Sequence, residues 1–235
     1  MTTAIFDGTQ TRDWMRRFAE SVYATESELT ALDQQAGDGD FGTNLAAGVR
    51  AAGPLLDRMD ESGGPEEALG AMAAAFLDEI GGTSGPLFGL LFQALSRAAA
   101  GADPRPDAGS GPAPGSGADL TAAALARGAA EGLAAIRRVG DASPGDKTLV
   151  DALTPAAAAL RAAESEPPAT ALAAAADGAW RGVRETASLT ARMGRASYLG
   201  ERATDIPDPG AVGIALFFAS AAGTVQALAP NLTTG

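Results

Sequence analysis

Residues 36–44 read AGDGDFGTN, and the sequence on either side of them decides the fold. Gly37, Gly39 and Gly42 have the G-x-G-x-x-G spacing of a phosphate-cradling loop. A dinucleotide fingerprint of this kind needs a strand before the glycines. Apolar residues instead precede them at helical intervals: Trp14, Phe18 and Val22, then Leu29 and Leu32 after a polar stretch. Beyond the loop, Leu45, Val49 and Leu55 or Leu56 resume the same spacing. A glycine loop between two helices argues against a Rossmann unit, and Asp38 and Asp40 would face the pyrophosphate. An EF-hand fails as well. Counted from Asp38, Gly42 falls fifth and Val49 twelfth, where the bidentate Glu belongs.

Working outward, helical patterns cover 9–32, 66–80, 119–138, 147–162 and 168–191. A last helix is expected over 210–229, opened by Asp208 as N-cap and Pro209 as first helical residue. Ala-rich, Leu-punctuated segments favour helices, and none sustains period-two alternation. The expected class is all-α, with neighbouring helices antiparallel. Glycine-rich loops recur between helices: GGTSGPLFG (81–89), VGDASPGDKT (139–148) and the stretch from GRASYLGER to IPDPG. That recurrence predicts a site assembled from loops at one end of a bundle. Residues 101–118 are low-complexity Gly/Pro/Ser/Ala and read as a flexible loop or linker, either between domains or inserted between two helices.

The formal net charge of −12 argues against nucleic acid as a partner. It permits nucleotides if a cation intervenes. There is no cysteine, hence no disulfide framework or thiolate zinc site, and no histidine. Chemistry here must therefore use carboxylates, hydroxyls, Lys, Arg or the backbone. The N-terminus lacks the apolar core of a signal peptide. Residues 210–230 carry no charge but contain Ser, Thr, Gln and glycines without a basic flank, which favours a buried central helix over a membrane span. A cytoplasmic protein is expected.

Asp33, Asp38 and Asp40 suit two readings on spacing alone. They form a polar turn that caps a helix, or they converge on Mg²⁺, which takes carboxylates plus substrate phosphates. The second explains the carboxylates in a phosphate-type loop: they hold the ion and the ion holds the phosphates. Thr83 and Ser84 offer hydroxyls at a helix start, as an anion site or as a turn with its cap. GDKT (145–148) resembles part of a Walker loop without its upstream glycine, which leaves Lys147 as a surface charge and Asp146 as a helix cap. Arg195 and Arg202 read as anion contacts or as solvated loop residues.

Taken in order, LDQQAGDGDFGTN, GGTSGPLFG, GDKTLVDALTPA, GRASYLGER and DPGA resemble the nucleotide-binding L subunit of dihydroxyacetone kinases (the DhaL or Dak2 domain), over about residues 10–228. The resemblance implies one domain over 1–235, an eight-helix antiparallel barrel with the nucleotide at one open end, and 101–118 as an inter-helix loop. It implies that Asp33, Asp38 and Asp40 hold two Mg²⁺ on ADP or ATP. Phe41, Gly42, Thr43 and Asn44, with Thr83 and Ser84, match segments that touch the phosphates. Gly140 and Leu149 match the adenine pocket, Arg195 a phosphate contact, and Asp208, Pro209 and Gly210 a further nucleotide-contacting turn.

Two positions depart from the family. Phe41 stands where many relatives have His, and ATDI (203–206) replaces a frequent serine and Gly-His pair. The resemblance also implies a partner. A separate K-type subunit holds the ketose through a histidine, so this chain is expected to be half of a kinase. Its donor is exchangeable ATP, or tightly held ADP recharged by a phosphohistidine carrier protein. Two other functions compete: a module of another kinase such as fatty acid kinase, whose members typically carry GDGDTG and extra domains, and a non-catalytic sensor of Mg-nucleotide.

Overall fold

The computed structural model describes residues 6–78, 84–101, 119–198 and 204–233. Eight helices form its frame: α1 (Gly8–Ala36), α2 (Phe41–Asp57), α3 (Pro65–Asp78), α4 (Ser84–Ala99), α5 (Ala122–Gly140), α6 (Leu149–Ala162), α7 (Pro168–Ala187) and α8 (Pro209–Ala219). A 3₁₀ turn, Arg195–Tyr198, and a single helical turn, α9 (Ala229–Leu232), complete the set, and there is no strand among the described residues. Residues 102–118, most of the expected low-complexity loop, lie outside the described residues.

Local chemistry sets the helix ends. Asp7 and Gln10 form a capping box at the start of α1: the Asp7 carboxylate accepts from the Gln10 amide at 2.8 Å, and the Gln10 side chain accepts from the Asp7 amide at 3.1 Å. Thr148 and Asp151 cap α6 in the same way. Asp208 caps α8 with Pro209 next, as the sequence predicts.

Each helix packs on the next from α1 to α8, and α8 returns to pack on α1. The ring is a closed antiparallel barrel. Phe18, Phe76, Phe88, Phe92 and Phe217 fill its middle. Trp14 stacks on Phe217 with centroids 4.6 Å apart and donates its indole N–H to the Phe217 carbonyl at 2.8 Å. Residues 211–218 of α8 are buried on every face, the pattern that an uncharged helix inside a helical barrel requires. No helix among the described residues is long and apolar enough to cross a membrane.

The expected last helix over 210–229 is corrected: α8 stops at Ala219. Side chains of α1 compete for the backbone that would continue it. Arg17 donates to the carbonyls of Ser220 and Ala221, Ser21 Oγ accepts from the Val225 amide, and Glu28 accepts from the Leu228 amide. Segment 220–228 is therefore laid along α1 instead of coiling. The stretch expected as helix to 191 likewise ends at Ala187.

Candidate functional site

An antiparallel ring sorts its connections by parity. Those leading from odd to even helices gather at one end, where α2, α4, α6 and α8 begin. At that end lies a cavity of about 250 Å³. Its wall draws on the α1–α2 loop, the first turn of α4, the α5–α6 loop and the α7–α8 connection. First-turn amides of helices beginning there have no intrahelical acceptor, and the dipole favours negative charge at the same place.

The acidic loop occupies one side of this cavity. The Gly37 amide ends α1 by donating to the Asp33 carbonyl, and Gly39 takes φ +81°, a left-handed value that a side chain would strain. The chain then enters α2, and the buried Asp33 carboxylate accepts from the Phe41 amide at 3.0 Å. Asp33 thus caps α2 from the neighbouring helix. Asp40, in the N-cap position, makes no capping bond with its side chain. One carboxylate oxygen from each of Asp33, Asp38 and Asp40 lies within 4.8 Å of the others, with Asp38 and Asp40 exposed to the cavity mouth. Three hard oxygen donors held this closely repel one another, and a divalent cation such as Mg²⁺ fits them.

Apolar side chains also line the cavity, among them Leu87, Ile136, Leu149 and Val150, together with Gly140 and Ala142. Asn44 and Ser84 supply neutral polar groups near the acidic side, and Pro209 and Gly210 close the wall at the start of α8. Phe41 lines the cavity, and its buried ring is tilted on Phe88 of the core with centroids 6.4 Å apart. Gly42 and Thr43 do not line the cavity. A Cβ on Gly42 would overlap the Glu26 carbonyl of α1, so its hydrogen lets the two helices cross closely; Thr43 is exposed. Met193, Gly194 and Ala196 border the cavity, whereas Thr83, Arg202 and the Arg195 side chain lie outside the described residues.

Lys147 departs from the expected surface charge. It is 1% exposed, takes φ +61°, lines the cavity, and donates from Nζ to the carbonyls of Thr186 (2.9 Å) and Leu189 (3.1 Å). Asp146 does not cap α6; its carboxylate accepts from the Ser143 amide at 2.7 Å. Burial pulls the Lys147 ammonium below its ordinary pKa, against the charges of Asp208 and Asp205, which favour the protonated form. Burial also pushes the Asp208 carboxyl up to about 7, opposed by its bond from the Ala211 amide. The charges of Asp151 and Asp33 add to the rise and Lys147 offsets it. A signal for Lys147 was present in the sequence: it is the chain's only lysine, every other cationic side chain being arginine.

The DAK2 domain matches residues 35–223. The chain belongs to the DAK2 domain family. This DAK2 domain is 31% identical over 208 residues to the "PTS-dependent dihydroxyacetone kinase, ADP-binding subunit DhaL" of Lactococcus lactis, covering 88% of this chain and 93% of that one. It is 37% identical over 220 residues to the L-erythrulose 1-kinase of Mycolicibacterium smegmatis, covering 93% of this chain and 35% of the kinase. The chain thus spans about a third of the length of several curated kinases that it matches. Among solved structures, the dihydroxyacetone kinase from C. freundii in complex with AMP-PNP and Mg²⁺ is similar with a TM-score of 0.64 at 25% identity, covering 94% of this chain and 35% of that one. Its native form has a TM-score of 0.62 at 24% identity and shares the all-α fold.

Proposed function

We propose that this DAK2 domain holds ADP or ATP with two Mg²⁺ ions in the cavity and acts as the L-type half of a two-component kinase. The acceptor is dihydroxyacetone or a related short ketose bound on a separate K-type subunit. One observation carries the reading: three carboxylates converge within 4.8 Å at a cavity that Leu87, Ile136, Leu149 and Val150 also line. Such a cavity suits a molecule with a flat apolar base at one end and metal-bound phosphates at the other. The near-full-length likeness to an ADP-binding subunit, and the fold shared with a kinase solved with AMP-PNP and Mg²⁺, support it.

When bound, the magnesium-nucleotide supplies the transferable phosphoryl group and the charge neutralisation for in-line transfer. The chain itself binds and orients. Asp33, fixed by the Phe41 amide, anchors the metal side together with Asp38 and Asp40. Thr83, Ser84, Asn44 and Arg195 position phosphates. Gly140 and Leu149 bound the adenine, and Asp208, Pro209 and Gly210 hold the nucleotide from the α8 side. Without a histidine, the chain leaves covalent capture of the ketose to its partner. A phosphohistidine carrier that recharges bound ADP must likewise bring its own. The proposal includes one domain over 1–235, supported by the packing of α4 on α5 across 101–118, and a cytoplasmic location.

A second reading, a magnesium-nucleotide sensor, is favoured by the Phe41 ring, which packs on Phe88 where a phosphate contact is frequent in the family. One assay separates the two. The purified chain is incubated with ATP, Mg²⁺ and dihydroxyacetone, with and without a K-type subunit. Turnover only in the presence of that subunit is expected. Turnover by the isolated chain overturns the half-enzyme reading, and nucleotide binding without turnover on any K-type partner makes the protein a sensor.

A further inference from the structure

We propose that Lys147 is a positioning residue for the nucleotide cavity: its ammonium ties the loop before α6 to the end of α7 and so holds two cavity walls in register. The inference rests on the nucleotide-binding reading and assigns a residue that the metal loop and the resemblance leave out.

The observations come from three directions. Lys147 is almost wholly buried, yet its backbone sits in the left-handed region at φ +61°, which a non-glycine residue holds only where surrounding contacts impose it. Its Nζ donates to the carbonyl of Thr186, in the last turn of α7, and to that of Leu189, two residues beyond the helix, where the helix dipole favours a cation. Each partner then leads to the cavity wall. Thr186 Oγ1 accepts from the Asp208 amide at 2.9 Å, and Asp208 in turn caps α8 through the Ala211 amide at 2.7 Å, placing Pro209 and Gly210. Leu189 opens the segment whose Arg192 amide donates to the Asp146 carbonyl at 3.1 Å, setting Met193 and Gly194 along the same cavity.

The choice of lysine has a steric reason. All other basic side chains are arginine, whose planar guanidinium is bulkier than an ammonium and presents five donors. A slim ammonium can be buried against the end of a helix. Because its hydrogen bonds run to backbone carbonyls at and just beyond the end of α7, Lys147 acts on the shape of the cavity as a whole. A lysine of the Walker kind would act on the phosphates alone.

The absence of cysteine makes a clean test available. Binding of Mg·ADP and of adenosine without metal is measured by calorimetry for the parent protein, Lys147→Met, and Lys147→Cys alkylated with 2-bromoethylamine in denaturant and refolded, which restores an ammonium at nearly the same reach. Thr186→Val provides a milder break in the same chain of contacts. Lys147→Met should weaken both ligands by about tenfold or more, the scale of one hydrogen bond to a charged group. Aminoethylation should restore both, and Thr186→Val should weaken both in the same sense. A loss confined to Mg·ADP overturns the proposal by making Lys147 a phosphate ligand. Unchanged affinity in a Lys147→Met protein of lowered melting temperature overturns it by making the lysine purely structural. If Lys147→Met fails to fold, unaltered binding by Thr186→Val overturns it. Should the parent protein bind neither ligand, the nucleotide reading itself fails.

Discussion

The two ends of the barrel are built from the same kinds of helix but connected differently. At the end opposite the cavity, α6 passes to α7 through residues 163–167 without a left-handed residue, and Gly101 is the one positive-φ position on that side among the described residues. At the cavity end stand Gly39, Asp141, Gly145, Lys147, Gly194 and Asp205, all with positive φ, and three of these carry side chains. Turns at the quiet end only reverse the chain. Turns at the cavity end must also aim carboxylates, amides and one ammonium at a common space, and left-handed backbone is how a short loop achieves that. Strain and chemistry share one end while the aromatic middle supplies the stability.

The largest effect should come from that middle. Phe217→Ala removes a ring that packs on Trp14, Phe18, Phe92 and Phe218, and should cost about 3–5 kcal/mol in urea denaturation. A loss below about 1 kcal/mol would show that the barrel does not depend on its centre. Next, Asp38→Asn with Asp40→Asn should weaken Mg·ADP binding roughly hundredfold, because the carboxylates that hold the cation are removed. A lower melting temperature with intact affinity would reverse the assignment of roles to the two regions.

The third test uses pH. The Asp208 carboxyl has its ordinary value of about 3.8 when unfolded, and burial pushes it up to about 7 in the fold. Between those values the unfolded chain has released a proton that the folded chain keeps, so this carboxyl makes stability fall as pH rises through the window. Asp208→Asn keeps the capping acceptor and has no proton to lose. Relative to the parent, the metal-free variant should gain about 1–2 kcal/mol on going from about pH 4 to about pH 8, less than the full shift because Asp208 is only partly buried. A stability difference independent of pH would refute it. The smallest effect belongs to Asp141, in the left-handed C-cap of α5 at φ 52° and outside the cavity lining. Asp141→Gly should raise stability by about 0.5–1 kcal/mol with Mg·ADP affinity unchanged. A drop in affinity would place the cavity under the control of that turn.

What could be read from the sequence was what local spacing encodes. The helices follow from apolar residues at helical intervals, and the three aspartates meet because they lie within eight residues, Asp33 in the last turn of α1 and Asp38 and Asp40 just after it. The halt of α8 at Ala219 could not be read there, since Arg17, Ser21 and Glu28 of the first helix decide it. Lys147 looked like a solvated charge because its acceptors come 39 and 42 residues later, from carbonyls that carry no side-chain signature. Leu87 and Ile136 were invisible as wall residues for a different reason: an apolar side chain lining a cavity has the same spacing as one in the core.

Closure of the ring through α1 and α8 sets a condition on synthesis. The Trp14 indole reaches its acceptor 203 residues downstream, so a chain emerging from the ribosome has assembled nearly every stave before that contact can form. Until the final helix arrives, an oily slot stands open along the first, a natural target for a chaperone and a reason for assembly to be slow and late.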